Sequence, residues 1–291
     1  MAIQLNLEPK LNLNTMYQTP KAFIVIGCGG TGAYFLPNLA RQVSIANGLR
    51  KIEGLAEHKI LLVDADEVSL SNLNRQNFIE KDLDKNKAEV LATRYGTAFS
   101  MNIEYLDEYI TSADMLYEIV NDFSDNKRCL PVIVDCVDNN KTRVLIHEAI
   151  QELKKDFVAT VSLSSGNELY TGQVVCGFVL GEGLETQWGY ENNKLFRTPT
   201  VVDMFPEILE GGDKLPTELS CDEAAISHPQ NIMTNITAAN LLFNFANTLI
   251  TANIDKEENP GLSYFAVTFD TQDGNFRTFP NKESVIKQYI D

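Results

Sequence analysis

The stretch VDADEVSLSNLNRQ (63–76) places a carboxylate and a guanidinium close together, directly after a hydrophobic run. Asp64 ends that run, Asn72 and Arg75 lie in the polar segment after it, and Lys87 follows where a helical pattern begins. An acid at the end of a strand can hold ribose hydroxyls. A dinucleotide does not require two extra cations, whereas a triphosphate whose bond is to be broken does. We therefore predict a nucleoside triphosphate site in which these four residues contact the nucleotide; the alternative is that Arg75 and Lys87 are solvated surface charges.

The segment GCGGTG (27–32) stands between a hydrophobic run and a helical pattern. Its glycine spacing allows a tight turn and lets backbone N–H groups approach a phosphate at the start of a helix. The predicted nucleotide-binding positions in this loop are Gly27, Gly29, Gly30, Thr31 and Gly32. Alone, the motif indicates a nucleotide and nothing more specific, and a glycine turn that binds nothing is the alternative.

A third segment, VIVDCVDNNKTR (132–143), places Asp138 just past the end of another hydrophobic run. Ligands of open α/β sheets bind outside the carboxyl ends of the strands, so a parallel sheet would bring Asp138 to the edge that holds the glycine loop and Asp64. A carboxylate there can hold a magnesium ion that bridges phosphate oxygens. The alternative, compatible with the first, is that Asp138 is the N-cap of the helix that follows.

Strand-like and helix-like patterns alternate through the first half of the chain. Strand patterns cover 21–27, 58–64, 101–110 and 130–138, and helical patterns cover 31–46, 87–99, 112–121 and 140–154. This alternation predicts an α/β fold, a Rossmann-like and doubly wound sheet that is mainly parallel, over residues 21–160.

The character of the sequence changes after this half. Residues 161–291 contain further strand patterns, a long helical pattern near 231–252 and a closing pair of strands, which predicts that antiparallel strands complete the same domain. The segment 181–230 is rich in Gly, Pro and acids and is expected to be irregular. Residues 1–20 are typical of an extended arm that could pair with a sheet edge of its own or of another subunit, so a homodimer is one expected assembly.

Composition excludes several classes of protein. The 291 residues carry 24 Lys and Arg against 40 Asp and Glu, a formal net charge of −16, which argues against nucleic acid as a partner. The start of the chain has no basic, apolar leader, and the apolar segment 232–252 holds too many asparagines for a good membrane span. The five cysteines show no C-x-x-C pair, so we expect a cytoplasmic thiol protein without structural zinc.

The three motifs resemble those of the ThiF/MoeB family, in the superfamily of ubiquitin-activating enzymes, in both order and approximate spacing. The resemblance implies a ThiF/MoeB-like fold and an ATP site in which a carboxylate attacks the α-phosphate. It also implies a role for each matching residue. Asp64 would hold the ribose, Arg75 and Lys87 the phosphates, and Asp138 the magnesium ion.

The second half of the chain is similar to the ThiF-like proteins of PRTRC systems, which are gene clusters associated with bacterial plasmids and other mobile elements. The similar segments are GNELYTGQVVCG (166–177), TPTVVDMFPEIL (198–209) and ELSCDEAAISHPQNIMTNITAANLL (218–242). The resemblance therefore covers most of the chain from about residue 20 onward. The similarity to these proteins does not indicate a reaction, because they are known chiefly from the genes that neighbour them.

Two features of the better-understood relatives have no certain counterpart in this sequence: one phosphate contact, and the cysteine that receives the activated carboxylate. Some relatives send an arginine from the N-terminal region across a dimer interface, and residues 1–20 contain none, so that phosphate contact is expected to be either absent or replaced by Lys10 or Lys21. Relatives that pass the activated carboxylate onward often use a cysteine, for which Cys221 is best placed. Its acidic neighbours would raise the pKa of its thiol, and the alternative is that Cys221 only braces its loop.

Three functions compete at this stage. The favoured one is an adenylyltransferase that activates the C-terminal carboxylate of a ubiquitin-like or sulfur-carrier-like protein, ending in glycine, with release of pyrophosphate. The second is a nucleotide-binding scaffold that is slow or inactive. The third is an NAD-dependent oxidoreductase, which would not need the Arg75 and Lys87 pair and for which no hydride-site histidine is evident.

Overall fold

The computed structural model describes residues 18–125, 128–182, 197–210, 215, 231–251 and 262–290. One eight-stranded sheet runs through the described part of the chain, with strands β1 (Lys21–Ile26), β2 (Lys59–Val63), β3 (Glu104–Leu106), β4 (Leu130–Asp135), β5 (Thr160–Asn167), β6 (Thr171–Val179), β7 (Tyr264–Asp270) and β8 (Asn275–Pro280). Their order across the sheet is β3-β2-β1-β4-β5-β6-β7-β8. The strands from β3 to β5 are parallel, and those from β5 to β8 are antiparallel. The prediction of a mainly parallel, doubly wound sheet continued by antiparallel strands is confirmed.

Helices connect the parallel strands, as the alternating pattern predicts. The helices are α1 (Gly32–Glu53), α2 (Lys87–Phe99), α3 (Ala113–Phe123) and α4 (Asn140–Lys155). All residues of β1 and β4 are buried. Such continuous burial is what a parallel strand covered by helices on both faces requires.

The antiparallel part contains three strands and three described helices. The strands are β6, β7 and β8, and the helices are α5 (Val201–Met204), α6 (Ile232–Thr251) and α7 (Glu283–Ile286). β8 forms the edge of the sheet, and most of its side chains are exposed.

Side chains alternate between the two faces of the sheet and divide the core into layers. In β1, Phe23 and Val25 join a cluster with α1, α2 and α6, whereas Ala22 and Ile24 join a cluster with α3 and α4. A third cluster, around Phe265, lies over the antiparallel strands. The period of two along each strand therefore decides which helices each residue contacts.

Two predicted elements have different lengths in the structure. The strand predicted over 101–110 contains only β3, because just three of its residues pair with β2. The helix predicted over 31–46 continues to Glu53 and ends at Gly54, whose left-handed φ of 70° closes the C-terminus. None of the described helices is both long and apolar enough to cross a membrane.

Two glycines of α1, Gly32 at its start and Gly48 in its interior, make a matched stability test. A Cβ at Gly32 would lie 2.1 Å from the carbonyl oxygen of Gly27, whereas a Cβ at Gly48 would have nothing within 4 Å. We expect Gly32→Ala to lower the free energy of unfolding by about 1–3 kcal/mol through steric conflict. Gly48→Ala should raise it by about 0.5–1 kcal/mol through helix propensity. Urea denaturation measures both changes, and equal effects would mean that the loop is not closely packed.

Candidate active site

The carboxyl ends of the parallel strands bring the predicted motifs to one edge of the sheet. Ile26 at the end of β1 is in register with Val63 of β2 on one side and with Asp135 of β4 on the other. The glycine loop, Asp64 and the loop that carries Asp138 follow directly after these three residues. They consequently emerge side by side, where ligands of open α/β sheets bind.

The glycine loop is shaped by close backbone contacts. Gly27 has a φ of +92°, and a Cβ at this position would lie 2.8 Å from the carbonyl oxygen of Cys136 in the β4–α4 loop. Its N–H group donates to the carbonyl of Val63 over 3.0 Å, which ties the loop to β2. These contacts require glycine for both conformational and steric reasons.

The loop presents N–H groups at the N-terminus of α1. Thr31 is the N-cap, but its side chain makes no capping hydrogen bond and its hydroxyl instead donates to Asn167 over 3.2 Å. Within the described residues, the backbone N–H groups from Gly29 to Gly32 have no protein acceptor. Such N–H groups, together with the helix dipole, favour an anionic ligand.

Asp64 joins the glycine loop to the end of β2. Its carboxylate accepts the Cys28 N–H over 2.6 Å and the Asp66 N–H over 2.8 Å. Burial raises the pKa of Asp64 to about 6, against the opposing effects of the Lys87 ammonium and the two backbone donors. The carboxylate predicted to hold a ribose thus also shapes the loop beside it.

Lys87 is oriented by an ion pair beside Asp64. Its ammonium contacts the Asp66 carboxylate over 2.7 Å, and its side chain is 7% exposed. Asp66 also accepts a hydrogen bond from the Tyr109 hydroxyl. Burial by itself would raise the pKa of Asp66, but Lys87 and Tyr109 outweigh it and hold that pKa below its usual range.

Three residues of this cluster were not among the sequence predictions: Asp66, Asn86 and Tyr109. Asn86 is the N-cap of α2, accepting the Glu89 N–H and donating to the Asp64 carbonyl over 2.7 Å. Its position before a helical pattern was a usable capping signal. Asp66 was visible as the second acid of the DAD segment. The sequence around Tyr109 contains no binding motif, and its hydroxyl reaches Asp66 only because of the path of the loop after β3.

Asn72 lies in a short 3-10 turn, Leu70–Asn74, and Arg75 is the residue that ends this turn. The side-chain oxygen of Asn72 accepts the Ser69 N–H over 2.9 Å, so this buried amide stabilises the turn. Arg75 is half-buried, and the next residue, Gln76, reaches within 3.6 Å of the Cβ position of Gly29. The turn therefore lies against the glycine loop, and the nucleotide contacts of Asn72 and Arg75 stay predictions.

A buried ionic network fixes the loop that carries Asp138. Asp135 accepts hydrogen bonds from Arg143 over 3.2 Å and from the Ser164 hydroxyl over 2.6 Å. Arg143 also donates to the carbonyl of Val137 over 2.7 Å, next to the exposed Asp138. The network thus joins β4, α4 and β5 underneath the loop.

Two sequence expectations are wrong. Asp138 is not the N-cap of α4, because Asn139 accepts the Thr142 N–H and takes that role. Lys21 cannot replace the missing phosphate contact, because it begins β1 at the end opposite the glycine loop of its own chain and is too fully buried to reach the site of another subunit. Its ammonium donates to the Thr19 carbonyl over 3.0 Å, and burial lowers its pKa to about 7. Lys10 and Cys221 lie outside the described residues.

The cysteines that the structure describes are poor nucleophiles. Burial raises the pKa of each thiol, and these residues are Cys28, Cys129, Cys136 and Cys176. A thiol must lose its proton to react, so these side chains serve packing. A thioester role for Cys221 stays a prediction from the sequence.

The Asp138 carboxylate, at the carboxyl ends of the parallel strands, fits a magnesium ion that is held partly by substrate phosphates. Among the described residues no group of three or more His, Cys, Asp or Glu side chains could hold a metal ion. Magnesium usually takes one or two carboxylates and completes its coordination with water and substrate phosphates. An exposed single carboxylate such as Asp138 fits that requirement.

A known protein family matches nearly the whole chain, and curated relatives match about half of it. The ThiF family matches residues 18–283. The SUMO-activating enzyme subunit uba-2 of Caenorhabditis elegans is 24% identical over 151 residues, which are 52% of this chain and 22% of that protein.

Solved structures share the fold at low identity. The crystal structure of E. coli MccB with ATP has a TM-score of 0.55 and 16% identity, over 92% of this chain and 66% of that one. PaaA has the same TM-score and identity, over 93% of this chain and 75% of that one. At 16% identity these likenesses concern the fold alone.

The raised pKa of Asp64 predicts a pH-dependent contribution to stability. A folded-state pKa of about 6, above that of the unfolded chain, stabilises the fold at low pH, and this contribution is lost as pH rises through 6. When the pH rises from 5 to 7.5, the free energy of unfolding of the wild type should therefore fall by about 1 kcal/mol relative to that of Asp64→Asn, which has no carboxylate at this position.

Urea denaturation at both pH values measures this difference. The contributions of other titrating groups, such as His58, cancel because both proteins contain them. Asp273→Asn, at an exposed turn, is the control for the effect of an Asp-to-Asn change outside the site. A pH-independent difference for Asp64→Asn would contradict the assignment.

Proposed function

The chain belongs to the ThiF family, and we propose that it is an ATP-dependent adenylyltransferase that activates the terminal carboxylate of a partner protein. The observation that carries this proposal is the convergence of the glycine loop, Asp64 and the oriented Lys87 at one sheet edge. An acid for the ribose and a fixed cation for the phosphates, beside free N–H groups, are the parts that a nucleoside triphosphate requires.

The proposed reaction transfers an adenylyl group. An oxygen of the partner's carboxylate forms a bond to the α-phosphorus of ATP, and the bond from that phosphorus to the bridging oxygen breaks. Pyrophosphate leaves with the electron pair of the broken bond, and an acyl adenylate remains. No side chain of the protein needs to act as nucleophile in this step.

The residues of the site would act mainly by holding charge in place. The ammonium of Lys87, oriented by Asp66, and the guanidinium of Arg75 would stabilise the charge that develops on the phosphates. Asp138 would hold magnesium, which supplies charge neutralisation on phosphate oxygens when it is bound. Such placed charges compensate for an overall charge of −16, which would otherwise repel ATP.

The proposed partner is a ubiquitin-like or sulfur-carrier-like protein that ends in glycine. A SUMO-activating enzyme subunit is among the relatives, and E. coli MccB has been crystallised with AMPCPP and MccA. Both support a protein or peptide partner. The similarity of the second half to PRTRC proteins suggests that the partner is encoded in such a gene cluster.

A nucleotide-binding scaffold is the second candidate, and one observation favours it. Lys21, one of two expected replacements for the missing arginine, is buried at the end of β1 opposite the glycine loop. A site that lacks one phosphate contact would bind ATP and react slowly. The NAD-dependent alternative has less support, because it gives no role to Arg75.

We expect the protein to bind ATP with magnesium at least about tenfold more tightly than NAD, since Arg75 serves a triphosphate. Arg75→Ala should weaken ATP binding by about ten- to a hundredfold, the range for losing a hydrogen bond to a charged group. Calorimetric titration measures both affinities. The matched control is Arg277→Ala, on the exposed edge strand β8, which should leave ATP binding unchanged. Equal or tighter binding of NAD would refute the adenylation proposal.

The second test measures chemistry through partner-dependent exchange of labelled pyrophosphate into ATP. Arg75→Ala and Asp138→Ala should each reduce the exchange rate by about two orders of magnitude, the usual effect of losing one oriented charge. Lys87 is left intact, because its removal would leave Asp66 without its ion pair. Asp273→Ala is the matched control. Exchange that survives both changes would mean that the site is elsewhere, and no exchange by wild type with a verified partner would favour the scaffold.

A further inference from the structure

A chain of hydrogen bonds leads from the glycine loop to the start of α6. The Thr31 hydroxyl donates to the side-chain oxygen of Asn167 over 3.2 Å, and the Asn167 amide donates to the side-chain oxygen of Asn235 over 2.7 Å. Asn167 ends β5, so it lies at the same sheet edge as the candidate active site. The three polar residues thus connect the loop to the second half of the chain.

The last member of this chain has an unused donor. Asn235 is 0% exposed, and its Nδ2 group has no hydrogen-bond partner among the residues that the structure describes. Leaving a buried donor unpaired costs about 1–3 kcal/mol. Buried polar groups without partners are rare in folded proteins, and each one calls for an explanation such as a missing ligand.

The neighbouring residue holds Asn235 in this position. The Thr234 hydroxyl donates to the Leu169 carbonyl over 2.8 Å, and this bond ties the start of α6 to the turn between β5 and β6. The Asn235 amide is fixed in addition by its acceptance of the Asn167 hydrogen bond. The Asn235 side chain is therefore held in a rigid frame, as a binding group should be.

The two sides of the glycine loop differ in charge. Lys87 and Asp64 are on the β2 side, whereas Asn167 and Asn235 are on the β5 side, across β1 and β4. In an in-line displacement the attacking and leaving oxygens lie on opposite sides of the phosphorus. Lys87 would approach the phosphates from the β2 side, so the amides of Asn167 and Asn235, which lie beyond β4, are available to the attacking group.

We propose that Asn235 donates a hydrogen bond from Nδ2 to an oxygen of the acyl group that is activated, in a subsite formed with Asn167 and Thr31. This inference rests on the proposed adenylation. The half-buried Asn167 marks the side from which the acyl chain enters. A neutral amide suits an oxygen whose charge disappears as the acyl adenylate forms, and it positions that oxygen without competing for the phosphates.

The test compares two ligands on one set of variants. The probe for the subsite is 5′-O-(N-glycylsulfamoyl)adenosine, which carries a glycyl group where the acyl adenylate would have one, and ATP is the reference. Asn235→Asp keeps an acceptor for Asn167 and removes the donor. We expect it to weaken probe binding by about tenfold or more, as the loss of one buried hydrogen bond does, and to change ATP binding by less than about twofold.

Matched variants separate a binding role from a structural one. Thr234→Val removes the adjacent anchor of α6 and should not change the ratio of the two affinities. Asn167→Ala, at a half-buried position, releases the Asn235 amide and should weaken the probe selectively; it decides the matter if Asn235→Asp does not fold in a thermal unfolding assay.

Other results would contradict either the subsite or the proposed function. Equal weakening of both ligands would assign Asn235 a structural role, and selective weakening of ATP would assign its donor to a phosphate. Unchanged probe binding in the folded variants would refute the subsite alone. Failure of the wild-type protein to bind ATP would instead refute the proposed function, together with the subsite that rests on it.

Discussion

The Asp64 carboxylate accepts one N–H group from the glycine loop and one from the end of its own strand, and the geometry of the candidate active site depends on this pair of hydrogen bonds. They hold the start of the loop against β2. The carboxylate is shielded from solvent, which raises its pKa, and Lys87 provides the compensating charge. The loop, the acid and the cation are therefore one electrostatic unit and not three separate contacts.

A second buried ionic unit supports the other side of the loop. Asp135 and Arg143 are almost wholly buried, and their hydrogen bonds reach β4, α4 and β5. Breaking such a pair by removing one partner costs about 3–5 kcal/mol, because the remaining charge stays buried. The β4–α4 loop packs against Gly27 at a distance that only glycine permits, so this network also limits the shape of the glycine loop.

These two units give the site an asymmetry that bears on its chemistry. Fixed charges surround the glycine loop from β2 to β4, while the side chain that contacts the loop from β5 is the neutral amide of Asn167, which is bonded in turn to the amide of Asn235 in α6. An adenylation site needs both kinds of surface. A highly charged triphosphate requires cations, and a carboxylate that must approach it requires donors that do not hold it too strongly.

The sequence by itself determined the family, the parallel half of the sheet and the place of Asp64 and Asp138 after the carboxyl ends of its strands, because local patterns carry that information. The roles of Asp64, Arg75, Lys87 and Asp138 stay predictions. Burial of parallel strands requires continuous hydrophobic runs, and a phosphate turn requires glycines at a fixed spacing. Tertiary structure alone decided the partners of these residues. Tyr109 reaches Asp66, and Asn235 reaches Asn167, from distant segments whose local sequence has no binding signal. Lys21 is excluded because it begins β1, at the end of the strand opposite the glycine loop. Periodicity indicates which face of an element is buried, but which edge of the sheet a residue occupies depends on strand order and direction, and these are set by long-range packing.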